Sequence, residues 1–167
     1  MLPLTQLELI RSKILNRDLL KNQVYSWRFK SEKIVFTNGC FDLLHQGHID
    51  YLSKAADCGT MLLVGINSDD SVRRLAKGPS RPLQDEYSRA LIIASLHFVS
   101  GVIVFDEDTP YNLINLIQPD VLVKGSDYRV EQIAGHDLVL AKGGAVKLID
   151  FLEGYSTSGI EKKIRQG

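Results

Sequence analysis

Apolar residues recur at helical spacing over the first thirty positions and then gather into short unbroken runs, and this change of rhythm divides the chain. Leu4, Leu7, Ile10 and Ile14, followed by Leu19, Leu20, Val24 and Trp27, fall on helix faces. Asn16 stands between the two groups where an N-cap would, so residues 4 to 30 predict two short amphipathic helices. After the charged break Lys30 to Lys33 come five apolar runs: KIVFT (33–37), MLLVGI (61–66), GVIVF (101–105), DVLVK (120–124) and AVKLI (145–149). Their β-branched and aliphatic content, without alternation, predicts strands buried on both faces. Helix-length patterns lie at roughly 47–57, 69–76, 85–97, 110–117, 131–142 and 158–165.

Strand alternating with helix predicts an α/β fold: a doubly wound, Rossmann-like parallel five-stranded sheet with helices on both faces. Residues 1–30 are expected to form a helical extension that packs on the domain or builds a homodimer, and residues 31–167 a single domain. In such sheets ligands bind at the carboxyl ends of the strands near the point where strand order reverses, so the loops after the strands carry the chemistry.

Composition narrows the partners. Twenty Lys and Arg balance twenty Asp and Glu, so no global field exists to hold nucleic acid or an anionic membrane surface, and any phosphate affinity must be local. Cys40 and Cys58 have no metal-ligand or CxxC spacing, which fits a reducing cytoplasm. The leading MLPLTQLELIRSK carries polar and acidic residues among its apolar ones and is not expected to be a signal peptide. Runs such as MLLVGI and ALIIASL are far too short to span a bilayer.

The first strand runs directly into Thr37-Asn38-Gly39-Cys40-Phe41-Asp42, where Gly39 lets backbone N–H groups approach a ligand. The chain has neither GxGxxG nor GxxxxGK[ST]; in their place stands His45-Gln46-Gly47-His48. Two imidazoles three residues apart at a helix entry can both point at the orphan N–H groups and positive dipole end that favour an anion, with Gly47 clearing the approach. A second group, Lys124-Gly125-Ser126-Asp127-Tyr128, leaves the sheet on the same edge, with Lys124 suited to a phosphate and Asp127 to a sugar hydroxyl. A third, Ser156-Thr157-Ser158, opens the last helix; Ser158 with Glu161 spells a capping box, leaving Ser156 and Thr157 to face a ligand. Arg73, Arg74, Lys162 and Lys163 read as solvated helix faces, and Asp106-Glu107-Asp108 as the acidic start of a helix.

The segment GCFDLLHQGH resembles the GxFDxxHxGH signature of the cytidylyltransferase-like group within the HxGH nucleotidyltransferase superfamily. From Lys33 to Ile164 the motifs VFTNGCFDLLHQGH, VGINSDDSV, DVLVKGSDY, IAGHDLV, KGGAVKLI and GYSTSGI are similar to those of the D-glycero-β-D-manno-heptose 1-phosphate adenylyltransferases. The resemblance implies an HxGH nucleotidyltransferase fold and transfer of the adenylyl group of ATP to a sugar 1-phosphate for lipopolysaccharide inner-core synthesis. It implies catalytic roles for His45, His48 and Lys124. Nucleotide binding is implied for Thr37, Asn38, Gly39, Cys40, Phe41, Asp42, Gly47, Lys124, Gly125, Asp127, Ser156, Thr157 and Ser158, whose hydroxyl cluster would receive the β- and γ-phosphates. Acceptor binding is implied for Asp42, Arg81, Arg89 and Tyr128, Arg81 lying in the loop Lys77 to Pro82. Mg²⁺ would arrive with ATP, held mainly by phosphate oxygens and water with a carboxylate such as Asp42. In many relatives this domain follows a sugar kinase, which would here be a separate chain.

Two departures bear on the substrates. Glu153-Gly154-Tyr155 stands where glycerol 3-phosphate cytidylyltransferases carry an arginine ahead of the hydroxyls, and the cluster ends in Ser158 rather than threonine. A cytidylyltransferase acting on glycerol 3-phosphate or another small monoester, and a nucleotide-binding module without turnover, remain the alternatives.

Overall fold

The computed structural model describes residues 3–75 and 81–166. Position 76 of the expected helix 69–76, and Lys77 to Ser80 of the loop that precedes Arg81, lie outside the described residues.

The helices expected in the first thirty residues are α1 (Gln6–Ser12) and α2 (Arg17–Phe29). Asn16 caps α2 as its sequence position suggested, accepting from the N–H groups of Asp18 and Leu19. Between the helices lies a strand that spacing alone did not suggest, β1 (Ile14–Leu15). It is followed by β2 (Ile34–Gly39), α3 (Gln46–Ala56), β3 (Met61–Asn67), α4 (Asp69–Arg74), α5 (Glu86–Ala94) and β4 (Gly101–Phe105). The chain continues through α6 (Tyr111–Ile117), β5 (Val121–Gly125), a 3₁₀ turn (Val130–Gln132), α7 (His136–Ala141), β6 (Ala145–Ile149) and α8 (Thr157–Gln166).

The sheet has six strands rather than five, in the order β1-β4-β3-β2-β5-β6, and every pairing is parallel. The addition comes from Ile14 and Leu15, which pair with Val102 and Ile103 and take the edge beside β4. A two-residue strand carries too few positions to impose a period of two, and Ile14 also fits the helical register of Leu7 and Ile10.

Alternation inside each strand feeds two cores. Ile34 and Phe36 of β2 join Leu20, Val24 and Trp27 of α2 and Ile114 and Ile117 of α6 on one face. Val35 joins Leu52 and Ala55 of α3 and Ala90 and Ile93 of α5 on the other. Both faces being covered, the strands read as continuous apolar runs. The chain winds from β2 through β3 to β4 in one direction and returns to lay β5 on the other side of β2. A crevice therefore opens where the carboxyl ends of β2 and β5 diverge. Among the described residues no helix is long and apolar enough to cross a membrane.

Candidate active site

At that crevice lies a cleft of about 690 Å³. Its floor is the end of β2. Asn38 and Gly39 continue the strand, and the chain then reverses at Phe41, whose φ of +48° is left-handed. A phenylalanine in that region carries strain of roughly 1–2 kcal/mol. The reversal turns Asp42 inward, where it is 3% exposed. Its carboxylate accepts from the backbone N–H groups of Leu83 and Gln84 and from Arg81 Nη1 at 3.0 Å, while Gln84 Nε2 donates to its carbonyl at 2.7 Å.

Arg89, on α5, is fully buried. Its guanidinium donates to the carbonyls of Gln84 and Cys40 and, at 2.7 Å, to Asp69. The acceptor-binding role expected of Arg89 is therefore corrected: it faces protein acceptors on every side and braces the β2 turn from behind. Asp42 lines the cleft, but its oxygens are engaged in holding residues 81–84 and are not disposed toward a ligand or a metal ion. Thr37 is corrected as well, since it is fully buried and its hydroxyl pairs with Tyr51 at 2.8 Å, tying β2 to α3. Burial, the dominant cause, pushes the Tyr51 hydroxyl up to about 12, so at neutral pH it stays a phenol.

His45 is the N-cap of α3, and its ring stacks on that of His48 with centroids 3.8 Å apart. Phe41 meets His48 edge-on at 5.3 Å. His48 lines the cleft and His45 stands behind it, its Nδ1 buried without a hydrogen-bond partner among the described residues. Burial holds the His45 imidazole below its ordinary pKa, which favours the neutral ring. Gly47 is favoured by tight packing: a Cβ there would lie 3.1 Å from both His45 Nδ1 and Tyr155 Cβ. Its lack of a side chain lets the segment leading into α8 pass against α3, and it does not itself line the cleft.

From the opposite strand, Lys124 Nζ reaches Asn38 Oδ1 at 2.5 Å across the crevice and lies 5.8 Å from the Tyr128 ring centroid. Gly125 admits Phe151, whose ring carbon would fall 2.2 Å from an added Cβ. Asp127 and Tyr128 line the same wall.

At the last helix the roles of the hydroxyls exchange. Ser156, not Ser158, caps α8, accepting from Gly159 N at 3.0 Å. Thr157 and Ser158 line the cleft. Glu161, read as the far half of a capping box with Ser158, pairs with Arg81 Nη2 at 3.0 Å. Arg81 thus lies between Asp42 and Glu161, its side chain 10% exposed, and still borders the cleft.

The expected residues that share the cleft wall are Asn38 to Asp42, His48, Arg81, Lys124, Gly125, Asp127, Tyr128, Thr157 and Ser158. Topology adds Tyr51, Asn67, Leu75, Asp108 to Pro110, Gln132 to Ala134 and Phe151. Phe151 lies two residues after β6, where the same strand-end rule that singled out β2 would have found it. The acidic run 106–108 does not cap α6; Asp106 and Asp108 pair with Arg74, and Glu107 with Arg17. Among the described residues no three His, Cys, Asp or Glu side chains gather as a metal site.

Residues 36–162 match the cytidylyltransferase-like family model. The bifunctional protein HldE of Wolinella succinogenes is 54% identical over 155 residues, 93% of this chain and 32% of that protein. The protein of the same name from Methylobacillus flagellatus is 53% identical, over 91% of this chain and 31% of its own length. The chain thus spans about a third of the length of these curated relatives. Among solved structures, the lipopolysaccharide core biosynthesis protein of Thermoplasma volcanium aligns with a TM-score of 0.59 and 28% identity, over 75% of this chain and 99% of that one. Pantoate-beta-alanine ligase of Francisella tularensis, at 16% identity, shares the fold with a TM-score of 0.57 over 91% of this chain and 76% of its own. With the family match running from the first strand of the crevice into the helix that closes it, the chain belongs to the cytidylyltransferase-like family.

Proposed function

We propose that this protein transfers the adenylyl group of ATP to D-glycero-β-D-manno-heptose 1-phosphate, giving ADP-heptose and pyrophosphate for the lipopolysaccharide inner core. The observation that carries the chemistry is the convergence of His48, Lys124, Thr157 and Ser158 on one cleft at the switch point of a parallel sheet. The heptose acceptor rests on the motif resemblance over Lys33 to Ile164, and the likeness to the lipopolysaccharide core biosynthesis protein of Thermoplasma volcanium supports it.

A phosphate monoester has a second pKa near 6, so the attacking oxygen of the sugar phosphate is largely ionised at neutral pH and a dedicated base would add little. The oxygen forms a bond to the α-phosphorus while the bond from that phosphorus to the bridging oxygen breaks, its electron pair leaving with pyrophosphate. The work left to the protein is to align two anions and to stabilise charge as it moves outward. His48 donates to the phosphate undergoing transfer, with His45 stacked behind it at the N-terminus of α3. Lys124 supplies a positive charge from the facing strand, and Thr157 and Ser158 donate to the outer phosphates. Mg²⁺ carried by ATP would neutralise the leaving pyrophosphate. The donor set fits a metal held chiefly by phosphate oxygens, with Asp127 as the wall carboxylate for it, since Asp42 holds residues 81–84 and Asp108 pairs with Arg74. An ATP-dependent reaction fits a cytoplasmic protein, in which the two free thiols, Cys40 and Cys58, would stay reduced.

Pyrophosphate release measured over ATP, CTP, GTP and UTP, each against heptose 1-phosphate and glycerol 3-phosphate with Mg²⁺, tests the proposal. Release confined to ATP with heptose 1-phosphate is the expected result. Release with CTP and glycerol 3-phosphate would replace the substrates, and no release with any pair would leave a binding module.

A further inference from the structure

Helix α8 carries two of the hydroxyls on the cleft wall, yet little of it is packed. Lys162 and Lys163 are exposed, Ile164 is 71% exposed, and Thr157 and Ile160 are only partly covered. A surface helix without a buried apolar stripe takes its position from polar contacts. Among the described residues, the ion pair that joins α8 to the rest of the chain is Glu161 with Arg81.

The other amine of Arg81 holds Asp42, the 3%-exposed carboxylate in the turn after β2. A guanidinium presents its donors in a rigid planar fork, so fixing one arm on a buried acceptor fixes the direction of the other. Glu161 follows Thr157 by four residues and Ser158 by three, which puts all three on one side of the helix. The path from Asp42 through Arg81 to Glu161 therefore sets how far Thr157 and Ser158 stand from the wall formed by His48.

We propose that Glu161 is a positioning residue for the nucleotide's outer phosphates: through Arg81 it docks α8 against the β2 turn and holds the Thr157 and Ser158 hydroxyls at the cleft. This rests on the adenylyltransferase reading for the identity of the nucleotide. It also assigns Arg81 a different primary task from the acceptor contact expected of it, since both of its terminal amines are engaged by carboxylates.

Calorimetric titration with Mg²⁺-ATP and with AMP separates this role from general support of the fold, because AMP has no outer phosphates to lose. The titrated proteins are the wild type, Glu161→Ala, Glu161→Gln and Glu161→Asp. Breaking a mostly buried ion pair should raise the Kd for ATP by about tenfold in Glu161→Ala while the Kd for AMP stays within about twofold. Glu161→Asp, which keeps the charge, and Glu161→Gln, which keeps the shape, should fall between the wild type and Glu161→Ala. An ATP affinity unchanged in Glu161→Ala, or a loss shared equally by AMP, overturns the assignment and leaves the adenylyltransferase reading standing. A wild-type chain that binds neither nucleotide overturns both.

Discussion

The turn after β2 and helix α8 border the same cleft and are held there by opposite means. Residues 39–48 grow out of the central strand and are braced from below by fully buried Arg89 and from the side by Asp42, whose oxygens meet two backbone amides and Arg81. Helix α8 has its own cap in Ser156 and a salt bridge to Arg81, with most of its surface in solvent. The difference matches what each would do during turnover. Donors to the transferred phosphate act only if their positions are fixed before the substrate arrives. An element that grips outer phosphates must also release them, and weakly anchored elements open at low free-energy cost.

Removing Arg89 should produce the largest effect and tests the rigid side of the contrast. Arg89→Ala strands Asp69 and the carbonyls of Gln84 and Cys40 without their donor, and breaking such a buried pair costs about 3–5 kcal/mol. Differential scanning calorimetry should show a large fall in Tm for Arg89→Ala and a much smaller one for Glu161→Ala, whose helix is mostly in solvent. Equal falls would mean that α8 belongs to the cooperative core, and the comparison would collapse.

His48→Ala comes next and separates fixed geometry from fixed chemistry. The ring borders the cleft and is only partly buried between Phe41 and His45, so its loss should lower Tm far less than the loss of Arg89. Loss of one preorganised donor costs about 10²- to 10³-fold in turnover, which pyrophosphate release would register. A rate within about threefold of the wild type would remove His48 from the chemistry, since a donor of this type is worth far more.

How much of this was legible in the sequence follows the same division. The five long strands, the cap at Asn16 and the wall residues at the ends of β2 and β5 could be read because each depends on a local pattern or on the strand-end rule. Asp42, Arg81 and Arg89 were legible as chemistry but not as structure. A charged side chain near a motif looks like a ligand contact until its burial is known, and that burial depends on elements roughly forty to eighty positions away in sequence. The exchange between Ser156 and Ser158 has the same origin. Ser158 and Glu161 have the spacing of a capping box, but Glu161 is drawn to Arg81 by tertiary structure and the cap falls to Ser156. Phe151 and residues 132–134 reach the cleft only because the winding of β5 and β6 brings them there.

The smallest expected effect is a pH dependence that belongs to the rigid side alone. Burial holds the folded-state pKa of His45 below its ordinary value of 6.5. As pH falls below 6.5 the unfolded chain takes up a proton that the folded site resists, and stability declines until the folded-state pKa is passed. The stabilisation is thus fully present above the ordinary histidine value and lost in the acidic window beneath it. Urea denaturation from about pH 8 to about pH 5 should show this slope in the wild type, and His45→Asn should flatten it by the part due to His45. An unchanged slope in His45→Asn would assign the titration to other histidines and show that the stacked pair is open to protons. The expected slope has a chemical consequence. Two stacked imidazolium rings with centroids 3.8 Å apart would repel, so keeping His45 neutral confines the pair to at most one positive charge.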